Sequence, residues 1–215
     1  MVTLTFICVV LFLSQLIIGI RVYFQQKNIP FKFNYPLTKL PDPATILENY
    51  MKIYRKIGIK VNAKIDAPAL AKEDFILVKR DTVYDKDLFT NFYVLLQLEL
   101  TKKTYNFLRN LKSIQNILFF SSIFLFILAI GFNNEIQKFL LATTLILQIL
   151  TIFATILGYE LISIALDETY EVAKDLLDLD ELEQVRTQKL MKDLKYMVFD
   201  YPLDIPLKLF YFFSF

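Results

Sequence analysis

Two carboxylates stand where the surrounding residues are apolar: Glu160 in ATILGYELISIAL and Glu99 in VLLQLELTKK. On membrane-insertion scales such a group costs roughly a few kcal/mol unless it is neutral, paired or near the interface. Glu160 has two readings: a ligand or polar anchor facing a helical bundle, or a Glu at the cytoplasmic lipid boundary that reaches water. Glu99 reads most simply as a partner of Lys102 or Lys103, which lie within reach on a helix. One absence bounds the chemistry of both: the 215-residue chain contains no His. That removes the usual general base, the Ser-His and Cys-His dyads, and nearly all zinc chemistry. The one cysteine, Cys8, lies in an apolar block and reads as a small buried residue; it permits neither an internal disulfide nor a cysteine metal cluster. Four glycines leave little room for a phosphate-binding loop. No cofactor is expected.

The elements that must position these residues are largely membrane spans. Hydrophobic residues make up 55% of the chain, above the usual share for a soluble domain, and they are concentrated in blocks. Residues 1–20 form an uncharged run whose helical length is about 30 Å, enough for the hydrocarbon core. Arg21 and Lys27 follow the run, whereas a secretory signal peptide carries its positive charge in front. The run is therefore expected to be an uncleaved anchor with its N-terminus outside. Residues 114–132 and 139–166 supply two further runs, joined by a polar turn at Asn133, Asn134 and Glu135. Within them Ser121, Ser122, Thr143, Thr144 and Gln148 are polar residues of the kind that hydrogen-bond between helices. Three spans without a charged pathway argue against a transporter.

Between the first and second spans the pattern changes. Residues 28–43 hold four of the seven prolines and read as an extended connector. Asp42 and Pro43 open a helix whose apolar face carries Ile46, Leu47, Tyr50, Ile53, Tyr54 and Ile57, with Gly58 as its C-terminal cap. IKVNAKI (59–65) and FILVK (75–79) read as strands of a small sheet over that helix. Asp85 or Asp87 caps a long helix over 88–112, apolar almost all round in its first half. After the hairpin, Val172, Leu176, Leu179, Leu182, Val185, Leu190, Leu194 and Met197 fit amphipathic helices with one break, and the tail PLDIPLKLFYFFSF is aromatic and too short to span.

The fold class that follows is a mainly α membrane protein, with three transmembrane helices and a small α+β cytoplasmic domain between the first and second. Its parts are a transmembrane helix (1–20), a basic membrane-surface domain (21–113), a transmembrane hairpin (114–166) and an amphipathic C-terminal region with the aromatic tail (167–215). From Arg21 to Gln115 there are 17 Lys/Arg against 9 Asp/Glu, a balance of +8; from Asp167 onward there are 6 against 11, a balance of −5. A basic block between spans predicts a cytoplasmic segment near anionic lipid. The C-terminus is expected on the same side, where the opposite charges can attract. Nucleic acid fits poorly, because the basic residues are dispersed beside membrane segments.

The order of parts resembles the membrane-bound neutral zinc metallopeptidases of bacteria, the YugP-like family. The corresponding stretches are ILENYMKIYRKIGIKV (46–61), FILVKRDTVYDKDLFTNFYVLLQLELTKK (75–103), the hairpin 114–159, and YELISIALDETYEVAKDLLDLDELEQVR (159–186). The resemblance rests on order, spacing and hydropathy. It implies that Glu160 matches the family's third zinc ligand, a Glu, and that the 88–112 helix is the one bearing H-E-x-G-H. Two His four apart present two nitrogens to one metal, and the Glu between them activates water. Aligning Tyr84 with the family's preceding tyrosine puts Gln97 and Thr101 at the His positions and Leu98 at the Glu. Sliding by one residue makes Glu99 the catalytic Glu, with Leu98 and Lys102 at the His positions. Neither register binds zinc.

The resemblance thus implies the family's fold without its reaction: a pseudoenzyme with a vestigial site at Gln97, Leu98, Glu99, Thr101, Lys102 and Glu160. Such a protein binds or assembles in the membrane, with the lipid bilayer and a protein partner or second copy as its contacts. Lys102 is then the expected partner of Glu160. The alternative is a structural accessory subunit of a larger membrane complex with no peptidase ancestry.

Overall fold

The computed structural model describes residues 2–33, 40–64, 67–72, 74–132 and 134–195. The aromatic tail, Met197 and Asn133 lie outside the described residues. The order of elements is α1 (Val2–Phe33), α2 (Pro43–Ile53), β1 (Gly58–Asn62), β2 (Ala69–Ala71), β3 (Phe75–Lys79), α3 (Leu88–Glu99), α4 (Asn106–Gly131), α5 (Asn134–Leu177) and α6 (Glu181–Leu194). The described residues are mostly helical, with one small sheet. The chain divides into two compact units. The first takes residues up to Gln25 together with Asn110–Glu160; the second takes Gln26–Arg109 together with Leu161–Lys195.

In the first unit, three helices among the described residues are long and apolar enough to cross a membrane, over Val2–Arg21, Lys103–Gly131 and Glu135–Leu177, the last two running on into the second unit. Their side chains are arranged inside out relative to a soluble bundle. Ile117, Phe124, Ile127, Ile130, Phe139, Ile149 and Phe153 are exposed, while Gln115, Ser122, Thr144, Gln148 and Thr151 are buried. That distribution suits a hydrocarbon solvent, in which association rests on packing and inter-helix hydrogen bonds. Gln148 Nε2 donates to the Cys8 carbonyl at 3.3 Å, and Gln115 Nε2 donates to Thr155 Oγ1 at 3.0 Å. The Phe12 ring meets Phe119 and Phe126 edge-on.

The second unit is built around α3. All twelve of its residues are buried; β2 and β3 pack on it from one side, and α2 and α6 also pack against it. Asp87, rather than Asp85, caps it, accepting from the Thr90 backbone N–H. The sheet has the order β1-β3-β2, with β1 parallel and β2 antiparallel to β3. The strand over 69–71, which is three residues long and two-thirds Ala, has no sequence signature. The sheet packs chiefly on α3 instead of α2, because α3 is largely apolar, is buried on every side and bonds to β2 through Gln97.

Several boundaries differ from the sequence reading, each for a local reason. The connector expected over 28–43 begins later, since α1 runs through Pro30 to Phe33. Ile29 and Phe33, four apart on one face, are both buried, and that burial offsets the one backbone bond Pro30 cannot make. Helix α2 stops at Ile53, so Gly58 is not its cap but the first residue of β1. A Cβ at Gly58 would meet Phe75 Cβ at 3.0 Å, which explains the glycine. The 88–112 helix is broken: α3 ends at Glu99, a 3-10 turn covers Lys103–Tyr105, and α4 starts at Asn106. Thr101 Oγ1 donates to the Leu98 carbonyl at 2.7 Å and Lys102 is extended, so the hydroxyl and backbone together close the helix end. Past the hairpin, α5 continues to Leu177, where Asp178 takes a left-handed φ of 46°. Helix α6 then opens with a reciprocal capping box between Asp180 and Glu183. Leu182 and Val185, expected inward, are exposed; Glu183, Thr187, Leu190, Met191 and Leu194 form the buried face.

Candidate functional site

The residues picked out near the end of α3 do meet in space, in the second unit, and they are joined by groups that the sequence reading left aside. The Glu99 side chain is fully buried. Its Oε1 accepts from the Tyr50 hydroxyl at 2.8 Å, and its Oε2 is held by the Lys102 ammonium. Lys102 also reaches Glu168 Oε2 at 3.1 Å. Tyr105 faces Glu168 in turn. On the other flank the Arg55 guanidinium donates to Thr101 Oγ1 and sits beside the Tyr50 hydroxyl. The Tyr54 hydroxyl donates to Asp175 Oδ2 at 2.9 Å. The result is one polar chain across the end of α2, the end of α3, the break that follows it, and the last turns of α5.

Local sequence explains why these groups arrive here. Asp42 and Pro43 fix the start of α2, which sets Tyr50 on its buried face with Ile46 and Leu47. The break after Glu99 frees Lys102 from the helix and lets it turn back to the end of α3, where a cation also complements the helix dipole. Glu168 and Asp175 are seven apart on α5 and so share a face.

The electrostatics follow the contacts. Burial, then the neighbouring Glu99 charge, hold the Tyr50 hydroxyl well above its ordinary range. Burial and the bond to Asp175 raise Tyr54 likewise. Burial works against the Lys102 charge, but hydrogen bonds to Glu99 and Glu168 outweigh it, and its ammonium is held above the usual lysine value.

Of the six sequence-selected residues, Glu99, Thr101 and Lys102 belong to this network. The Glu99–Lys102 pair expected from spacing is present. Gln97 is nearby in sequence but engaged elsewhere: its Oε1 accepts from the Ala71 backbone N–H at 2.9 Å and ties α3 to β2. Leu98 is a core residue. Glu160 is exposed and belongs to the first unit, at the point where α5 passes into the second. The expected Lys102–Glu160 pair is corrected by the contact to Glu168, eight residues and about two helical turns further along α5. Sequence reasoning missed Tyr50, Arg55 and Glu168. Tyr50 reads as an apolar position on the α2 face, but a buried phenol needs a partner for its hydroxyl.

The donor set does not suit zinc. Thr101 is a neutral hydroxyl already bonded to Arg55, Gln97 is committed to a strand, and Glu99 is held by the Lys102 ammonium. Among the described residues no group of three His, Cys, Asp or Glu could hold a metal ion. What the arrangement does is hold a buried charge with its partners, which fixes the geometry of four chain segments. Comparison with protein-family profiles, curated proteins and solved structures finds no match to this chain.

Proposed function

We propose that the protein is a non-catalytic relative of the membrane zinc metallopeptidases, acting in the bilayer as a binding or assembly protein. The observation that supports this most directly is the Tyr50–Glu99–Lys102–Glu168 chain. At the helix end where the resemblance implies a metal and its activated water, the Glu99 carboxylate is held by the Tyr50 hydroxyl and the Lys102 ammonium. A carboxylate held in this way positions structure, and Glu99 is engaged at both oxygens rather than poised to take a proton from water. The absence of His from the whole sequence points the same way.

The basic balance of residues 21–115 supports an orientation with the N-terminus outside and the second unit in the cytoplasm. The inside-out distribution of side chains in the first unit supports a lipid-embedded bundle.

Purification of the full chain in mild detergent tests the reading. The expected result is a stoichiometric partner or a homo-oligomer, with no zinc by elemental analysis after incubation with the metal and no peptide hydrolysis. Stoichiometric tightly bound zinc, or turnover by pure protein, would overturn it.

A further inference from the structure

Between Glu48 and Asp66 the chain carries Lys52, Arg55, Lys56, Lys60 and Lys64 and no carboxylate. Arg55 is engaged by Thr101. The four lysines are exposed. Interleaved with them are apolar side chains that a soluble surface would seldom expose together: Ile53 at 64%, Val61 at 58%, and Tyr54 and Ile59 at about 40%. The strand register explains the last of these. Ile59 pairs with Ile76 and Val61 with Val78, and both β3 partners are fully covered, as are Ala69 and Ala71 on β2. Ile59 and Val61 therefore continue the core face of the sheet, where α3 packs chiefly on β2, and among the described residues both stay exposed. Lys60 lies on the opposite face, its ammonium 4.1 Å from the centroid of the Phe75 ring.

We propose that the end of α2 and the edge strand β1 form a docking surface for anionic lipid headgroups, with Lys52, Lys56 and Lys64 meeting phosphate and Ile53, Ile59 and Val61 entering the interface. Charge complementarity selects this occupant. A run of lysines with no carboxylate between them in sequence, set around exposed apolar side chains, is the chemistry of interfacial attachment to a negative leaflet; Asp175, which accepts from Tyr54, and Asp74, whose carbonyl accepts from the Gly58 N–H, stand at its edges. The same chain carries three apolar helices able to span a bilayer, so a lipid surface is present at high effective concentration. The proposal rests on the membrane reading and is independent of any peptidase ancestry.

The test uses the full chain with Cys8→Ala and Val61→Cys, labelled with an environment-sensitive fluorophore in nanodiscs. The discs contain phosphatidylcholine alone or phosphatidylcholine with phosphatidylglycerol, each with and without spin-labelled lipid as quencher. The expected result is blue-shifted emission and quenching only in the anionic discs, both diminished by salt. Adding Lys52→Gln, Lys56→Gln and Lys64→Gln is expected to abolish both effects, since each lysine near a negative surface is worth about fivefold in partitioning. An unchanged thermal melt of that variant shows that the fold has survived. Equal emission in the two lipids overturns the proposal. So does quenching that survives the triple substitution, or a shift that appears only when an acidic protein is added.

Discussion

The two units bury polar groups by different rules. In the first, the buried groups are neutral amides and hydroxyls, joined by single bonds such as Gln148 to the Cys8 carbonyl and Gln115 to Thr155. The amide oxygens of Gln115 and Gln148 have no bonding partner in the bundle. In the second, neutral groups such as Gln97 and Asn91 also bond to backbone, but a buried charge is added: Glu99 is bonded to Tyr50 and Lys102, and Lys102 in turn to Glu168. The solvent accounts for the difference. Around a lipid-facing bundle every ion is costly, so neutral groups carry the inter-helix bonds. In the second unit the network ends at the part-exposed Lys102 and Glu168, so the inner charge of Glu99 is anchored to groups that keep their hydration.

Removing one end of that chain gives the largest expected effect. Lys102→Met leaves Glu99 buried without its cation. We expect a loss of about 2–4 kcal/mol, below the range for a fully buried pair because Lys102 is 37% exposed. In a chain of this size that is a fall of about 5–15 °C in the melting midpoint in detergent. Glu99→Gln combined with Lys102→Met should recover much of the loss. If the double variant melts as low as the two single losses added together, the pair contributes no coupling.

Next in size is Tyr50→Phe, which removes a hydrogen bond to a charged group at an expected cost of about 1.5–3 kcal/mol. Its pH dependence follows from the contacts. The folded protein holds the Tyr50 proton, and that of Lys102, more tightly than the unfolded chain does. Both contributions are therefore fully present below about pH 10, the unfolded value, and disappear as pH rises above it. Melting curves from pH 8 upward, run beside Tyr50→Phe, should show the parent losing more stability than the variant across that rise. Parallel curves would remove Tyr50 from the network.

The smallest effect belongs to the first unit. Gln148→Leu should cost about 0.6 kcal/mol and no more than about 1.7, the range for hydrogen bonds between membrane helices. Equilibrium unfolding in mixed detergent micelles measures it. A loss larger than that of Tyr50→Phe would erase the contrast between the units.

Much of the fold was legible in the sequence because it depends on composition and caps. The apolar runs, Asp42 with Pro43, and Leu88 as the first residue of α3 are local signals, and the structure carries them. What escaped was set by tertiary contacts. Pro30 reads as a helix breaker until Ile29 and Phe33 are seen to be buried. The 100–105 break is hidden among good helix formers, and only the Thr101 hydroxyl bonding back to Leu98 marks it. At the site, the Glu99–Lys102 pair was readable from spacing, whereas Glu168 was not. Glu160 drew the eye because it interrupts an apolar run, while Glu168 stands among other charges and is distinguished only by what α3 brings to it.

The complete enclosure of α3 has a consequence for how the second unit comes apart. Its walls are contributed by segments as far separated along the chain as α2 and α6. Detaching any one of them bares a strip of an apolar helix to water, so partial opening carries nearly the penalty of full opening. The unit should therefore behave as a single cooperative foldon, with the α3 amides the last to exchange their hydrogens.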